Sequence, residues 1–157
     1  MSVERVKRFL DERGLPGRVL EFEVSSATVE LAAGAVGCAP ARIVKTLVFR
    51  GVKGGCVLVA CAGDARIDNA RFKAQFGIKP GMLGADEALR LTGHAVGGVC
   101  PFALNDGVPV YIDRSVARFD EVYPAAGSAS SAVRLTPDEL MRLTGGAWVD
   151  VCKISGA

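Results

Sequence analysis

The stretch Ile43-Val44-Lys45-Thr46-Leu47-Val48-Phe49-Arg50 decides the fold. Its β-branched and large apolar side chains, with Pro40 upstream and Gly51 downstream, read as a buried strand. Side chains alternate across a strand, so Lys45 shares the more apolar face with Ile43, Leu47 and Phe49, while Val44, Thr46, Val48 and Arg50 take the other. An ammonium there has two explanations: a stem that snorkels until its head reaches solvent at the strand end, or a charge set at the mouth of a pocket. Both stay open at this level.

Working outward, Gly51 to Gly55 is a turn and Cys56 to Ala62 a second apolar run, so the two strands pair as a central hairpin buried on both faces. Upstream, Val3, Val6, Phe9 and Leu10 fall at helical spacing, with Ser2 as N-cap and Gly14 as stop. Val19 to Val24 alternates apolar and acidic residues like a half-buried strand, and Thr28 caps an alanine-rich helix running to Val36. Downstream, Asp68 caps a helix carrying Phe72 and Phe76, and Ala85 to Thr92 forms another that stops at Gly93. Strands are expected at Val108 to Asp113, Glu121 to Ala126, Ala132 to Leu135 and Trp148 to Cys152. Thr136, Pro137 and Glu139 spell a capping box at the start of the last helix. Strands interleaved with short helices, without a linker or internal repeat, predict one α+β domain over residues 1–157.

Composition narrows the function. The 157 residues, half of them hydrophobic and 23% charged, can bury a core without a metal or disulfide staple. No apolar run approaches a membrane span and the N-terminus lacks a signal-peptide core, so a cytoplasmic protein without membrane contact is expected. Five cysteines, an odd number without a C-x-x-C pair, suit a reducing compartment. With one histidine, a His-rich metal centre is impossible; no metal and no cofactor are expected. A net charge of +2 is too small for general nucleic-acid binding, though the local run Arg66, Arg71, Lys73 and Lys79 could face one RNA or simply be a solvated surface.

No phosphate-cradling G-x-x-x-x-G-K-[ST] or G-x-G-x-x-G motif occurs. Cys100, before Pro101, is the best thiol nucleophile by position, but a small buried hydrophobe explains it better. His94 sits at a helix stop, away from Lys45 in sequence, so His94→Asn is expected to leave activity nearly unchanged. The stretch 93–102, with paired glycines and a proline, is either a bulge at a sheet corner or a loop facing a ligand. What remains is a lysine on an apolar strand and two glycine-bearing loops.

Taken in order and spacing, residues 43–49 (IVKTLVF), 97–102 (GGVCPF), 110–113 (VYID) and Ala126-Gly127-Ser128 resemble the YbaK/ProX/EbsC family of trans-editing aminoacyl-tRNA deacylases, also found as an insertion domain of bacterial prolyl-tRNA synthetases. The resemblance runs over nearly the whole chain. It implies a mixed, mostly antiparallel, barrel-like sheet flanked by helices, and metal-free hydrolysis of a mischarged ester on the acceptor end of tRNA, with a synthetase as a possible partner. Carried over by position, it makes Lys45 and Gly98 catalytic and places Thr46, Gly97, Val99, Cys100, Pro101, Phe102, Gly127 and Ser128 around the substrate. The glycine loop would offer backbone N–H groups to the oxyanion. Many members carry serine before the proline, which argues against Cys100 as nucleophile. Some alanine-removing members have a histidine after the Gly127-Ser128 wall, where this chain has Ser130, Ser131 and Ala132, so a small residue other than alanine is the expected substrate.

Overall fold

The computed structural model describes residues 2–95 and 98–154. At the centre of the sheet is the hairpin of β2 (Ile43–Arg50) and β3 (Cys56–Ala62), antiparallel over seven residue pairs from Val44↔Ala62 to Arg50↔Cys56. Three further strands extend it in the order β6-β2-β3-β5-β8, where β5 is Val110–Asp113, β6 is Tyr123–Pro124 and β8 is Ala147–Val149. These added pairings are parallel, so the sheet is mixed. Two antiparallel ribbons complete the β structure: β1 (Val19–Glu21) with β7 (Ser131–Val133), and β4 (Ala65–Ile67) with β9 (Cys152–Ile154).

Five α-helices flank the sheet: α1 (Ser2–Asp11), α2 (Val29–Val36), α3 (Asn69–Phe76), α4 (Ala85–Thr92) and α5 (Pro137–Thr144). Their ends carry the signals that local chemistry demands. Thr28, Asp68 and Thr136 cap α2, α3 and α5 through side-chain oxygens, and α5 has the reciprocal Thr136–Glu139 capping box. None of the helices among the described residues is long and apolar enough to cross a membrane.

The hairpin is buried on both faces. Val44 and Val48 join Leu58, Ala60 and Ile112 in the main core, closed by α1, α4 and α5 through Val6, Leu10, Ala88 and Leu140. On the other face, Phe49 meets the α3 aromatics: the Phe49, Phe72, Phe76 and Tyr111 rings stack in series at centroid distances of 4.8, 4.6 and 4.9 Å. Both faces are therefore apolar, and the contrast between them expected from the sequence does not exist.

Two expectations shift. The strand expected at Trp148 to Cys152 is two strands, because Asp113 Oδ1 takes the Val151 N–H at 2.8 Å and turns the chain from β8, in the main sheet, to β9, in the ribbon. The strand expected from Val19 to Val24 ends at Glu21; beyond it Phe22 and Ser26 donate to the carbonyls of Ser130 and Ala129 outside any regular ladder.

Candidate active site

The outer edge of β2 is covered at both ends and bare in the middle. At one end β6 pairs with Ile43 and Val44. At the other, the segment 81–83 lies alongside: Arg50 N–H donates to Gly81 C=O at 2.8 Å and Leu83 N–H to Val48 C=O at 3.2 Å. Peptide groups alternate direction along a strand, so the N–H and C=O of Thr46 point outward as those of Val48 and Arg50 do. Neither the ladder with β6 nor the segment 81–83 reaches them. Thr46 Oγ1 is also buried without a hydrogen-bond partner among the described residues. Among the described residues, three polar groups of one residue are thus left open at one place, where buried polar groups are normally satisfied.

A cavity of about 340 Å³ opens at this gap. It reaches both faces of β2: Val44, Thr46, Val48, Ala88 and Val99 line it on the main-core side, and Val29, Ala32 and Ile43 on the α2 side. Its lining is mostly apolar, with hydroxyls from Ser26, Thr28, Thr46, Tyr123 and Ser131 and a single charged side chain, Lys45. Lys45 is half-buried and stands opposite Cys61 in the hairpin register. Its charge reaches Asp64, whose carboxyl is held below the usual range first by the Arg118 guanidinium and, to a smaller degree, by Lys45. Burial pushes the Tyr123 phenol up, so its hydroxyl keeps its proton. No carboxylate, imidazole or thiol lines the cavity among the described residues, and none of their His, Cys, Asp and Glu side chains cluster in threes that could hold a metal.

The two glycine loops meet as one wall. Gly98 is buried, and a Cβ built on it would lie 2.6 Å from Ser128 Cα and N. Gly127 holds the facing turn at φ +93°, a conformation suited to glycine. Within that turn Ser128 Oγ donates to Ser131 Oγ at 2.8 Å and accepts from Ser130 N–H at 3.2 Å. Of the residues expected around the substrate, Lys45, Thr46 and Val99 line the cavity. Gly98, Gly127 and Ser128 form the contact behind it, and Gly97 lies outside the described residues. Cys100, Pro101 and Phe102 are buried beneath the loop, with Cys100 and Phe102 at 0% exposure.

This geometry bears on two chemical expectations. The Gly98 N–H donates to Ala95 C=O at 3.0 Å and is committed there; beside the cavity, the N–H groups of Thr46 and Val99 have no backbone partner among the described residues. Complete burial pushes the Cys100 thiol up to about 12, which removes it as a thiolate nucleophile. Ser26, Thr28, Tyr123 and Ser131 carry no catalytic spacing in the sequence, and only the pairing of distant strands brings them to one cavity.

Comparisons with known proteins give the family. Residues 23–143 match the aminoacyl-tRNA editing domain. The chain is 46% identical over 154 residues to YwhH of Bacillus subtilis, covering 98% of each chain. It is 26% identical over 147 residues to EbsC of Enterococcus faecalis, described as a candidate Cys-tRNA(Pro)/Cys-tRNA(Cys) deacylase, covering 92% of this chain and 90% of EbsC. The crystal structure of a candidate trans-editing enzyme for prolyl-tRNA synthetase superposes with a TM-score of 0.88 at 36% identity over 97% of both chains. The fold is therefore shared with a solved relative over nearly the whole chain, and the chain belongs to the aminoacyl-tRNA editing domain family.

Proposed function

We propose that this chain hydrolyses the ester joining a small amino acid to the terminal adenosine of a mischarged tRNA. The observation that carries the reading is the cavity at the bare edge of β2, with Lys45 as its one charge and no side-chain base in its lining. Hydrolysis places negative charge on the ester carbonyl oxygen. The N–H groups of Thr46 and Val99, without a backbone partner among the described residues, can donate to it. Lys45 orients the ester or the nucleotide that bears it, and its ammonium offsets the developing charge. Thr46 Oγ1 finds in the substrate the partner it lacks among the described residues.

The nucleophile then comes from the substrate or from water that the substrate activates. For a cysteinyl ester, the thiol sulfur attacks the carbonyl carbon. The new S–C bond replaces the ester C–O bond, the thiol proton passes to the departing ribose oxygen, and water then opens the resulting thiolactone, adding OH to the acyl carbon and returning H to the sulfur, to give free cysteine. The description of EbsC as acting on cysteinyl-tRNAs favours cysteine as the amino acid. Ser131 and Ala132 line the cavity where alanine-removing members carry a histidine nearby, which favours a small residue other than alanine. A synthetase that supplies the mischarged tRNA belongs to the same proposal, on the description of the prolyl-tRNA synthetase relative.

The test is a panel of cysteinyl-, seryl- and alanyl-tRNAs carrying tRNA(Pro) or tRNA(Cys), followed by release of free amino acid. Cysteine or serine should leave fastest, with overlap between substrates, because one methylene changes selection by only about 10- to 200-fold in an apolar pocket. Alanine as clearly the best substrate would overturn the specificity. Tight binding of every tRNA without turnover would make the protein a non-catalytic module that holds a tRNA end.

A further inference from the structure

Behind the glycine-loop wall lies a buried polar cluster that the deacylation chemistry does not use. His94 and Cys100 are both at 0% exposure. His94 Nε2 is 2.7 Å from the Phe102 carbonyl oxygen, and Cys100 Sγ lies 3.5 Å from the same nitrogen. A carbonyl only accepts, so Nε2 carries the proton and the imidazole donates. Nδ1 is left buried and without a partner among the described residues, and burial lowers the imidazole pKa, so the ring is neutral. Its backbone is anchored as well: His94 N–H donates to Thr92 Oγ1 at 3.1 Å, and that hydroxyl donates to Ala88 C=O at 2.7 Å on the last turns of α4.

The loop that His94 grips is bent against its preference. Ala103, next to Phe102, sits at φ +50°, the one non-glycine residue in the left-handed region among the described residues. External bonds hold the bend: Arg5 donates to Ala103 C=O at 2.6 Å, and Asn105 N–H to Thr92 C=O at 3.2 Å. At the other end of the same short loop, Val99 lines the cavity and Gly98 presses on Ser128. A catalytic Cys–His pair is excluded, since neither side chain lines the cavity and the thiol is protonated. A mere core filler is a poor account too. An apolar ring would fill the volume without leaving a buried nitrogen unpaired, whereas the Nε2 donor holds the Phe102 carbonyl at 2.7 Å, beside a longer bond of 3.7 Å from the Cys100 thiol.

We propose that His94 is a positioning residue: its buried imidazole latches the Phe102 carbonyl and so fixes where Val99 and Gly98 stand against the cavity and the Gly127-Ser128 wall. This reverses the sequence expectation that asparagine is tolerated at this position. The effect on rate rests on the deacylase reading above; the effect on the loop does not.

The two arms are therefore measured separately, on His94→Gln and His94→Asn. A glutamine amide reaches the position of Nε2 and can still donate to Phe102, whereas the shorter asparagine cannot. Hydrogen exchange followed by mass spectrometry should show His94→Asn raising exchange at least tenfold across residues 98–105 while leaving β2 and β3 protected, and His94→Gln staying near wild type. With the best aminoacyl-tRNA of the panel, His94→Asn should lower kcat by about 10- to 100-fold, the scale of an ångström-level misplacement, and glutamine should restore it to within a few-fold. If no wild-type turnover exists, the deacylase reading fails and exchange alone decides the latch. Unchanged exchange at 98–105 in His94→Asn, a loosened loop with wild-type kcat, or equal loss in both variants with β2 and β3 deprotected would each overturn it.

Discussion

Ser128 Cα stands 2.6 Å from the point where a Cβ on Gly98 would lie, so the two loops of the candidate site touch backbone to backbone. No side-chain rotation relieves that contact. Gly98→Ala must push the loops apart, at an overpacking cost of about 1–3 kcal/mol. The displaced Val99 should also lower deacylation by about a hundredfold. Melting temperature and kcat measured together check this; a variant with native stability and native rate would show that the wall yields freely.

Thr46 gives the opposite balance. Its Oγ1 is buried and without a partner among the described residues, and an unmet polar group of this kind costs about 1–3 kcal/mol. Thr46→Val keeps the β-branched shape and removes the hydroxyl, so the protein should melt at the same temperature or higher. Deacylation should fall by about tenfold, as expected for one lost hydrogen bond to substrate. A variant that is more stable and equally fast would place the hydroxyl outside the reaction.

Glu139 supplies a pH-dependent term far from the cavity. It accepts two bonds from Arg18, at 2.9 and 3.0 Å, and one from Thr136 N–H in the capping box. Arg18 chiefly, against desolvation, holds its carboxyl down to about 2. A depressed carboxylate contributes stability that is fully present above its unfolded pKa, near 4.5, and is lost as pH falls toward 2. With 19% of the Glu139 side chain exposed, solvent screening leaves about 1–2 kcal/mol. Glu139→Gln should therefore melt a few degrees lower at pH 7, and the gap to wild type should close between pH 4.5 and 2. A gap that stays constant with pH would assign the loss to packing.

How much of this was legible depends on distance along the chain. The Thr28 cap, the Thr136–Glu139 box and the apolar hairpin all rest on neighbours in sequence, and each can be read directly. The cavity cannot, because it exists only where β6 stops at Val44 and the segment 81–83 begins at Val48, two pairings that no local pattern encodes. The resemblance identified Lys45, Thr46 and Val99, which line that cavity, together with Cys100 and Phe102, which lie under it, since a motif marks a loop without saying which of its side chains face inward. In sequence, His94 only follows the Gly93 helix stop. Its role depends on the Phe102 carbonyl eight residues on, which no side-chain pattern reveals.

Lys45 remains the residue on which the chemistry turns. It is half-buried, it is the one charged side chain lining the cavity, and no carboxylate lies within ion-pair distance of it among the described residues. A charge that serves no ion pair contributes little to stability, so Lys45→Ala should change the free energy of unfolding by about half a kcal/mol or less. If the ammonium meets the substrate, the same change should remove most deacylation. Lys45→Arg keeps the charge but replaces a compact head with a planar fork that needs more room, so it should also be slow. A solvent-facing lysine would tolerate both substitutions. Deacylation rates and melting curves for the two variants decide the matter: wild-type rates in both would leave the cavity without its charge and sink the proposed chemistry, while native melting with lost rates in both would place the ammonium on the substrate.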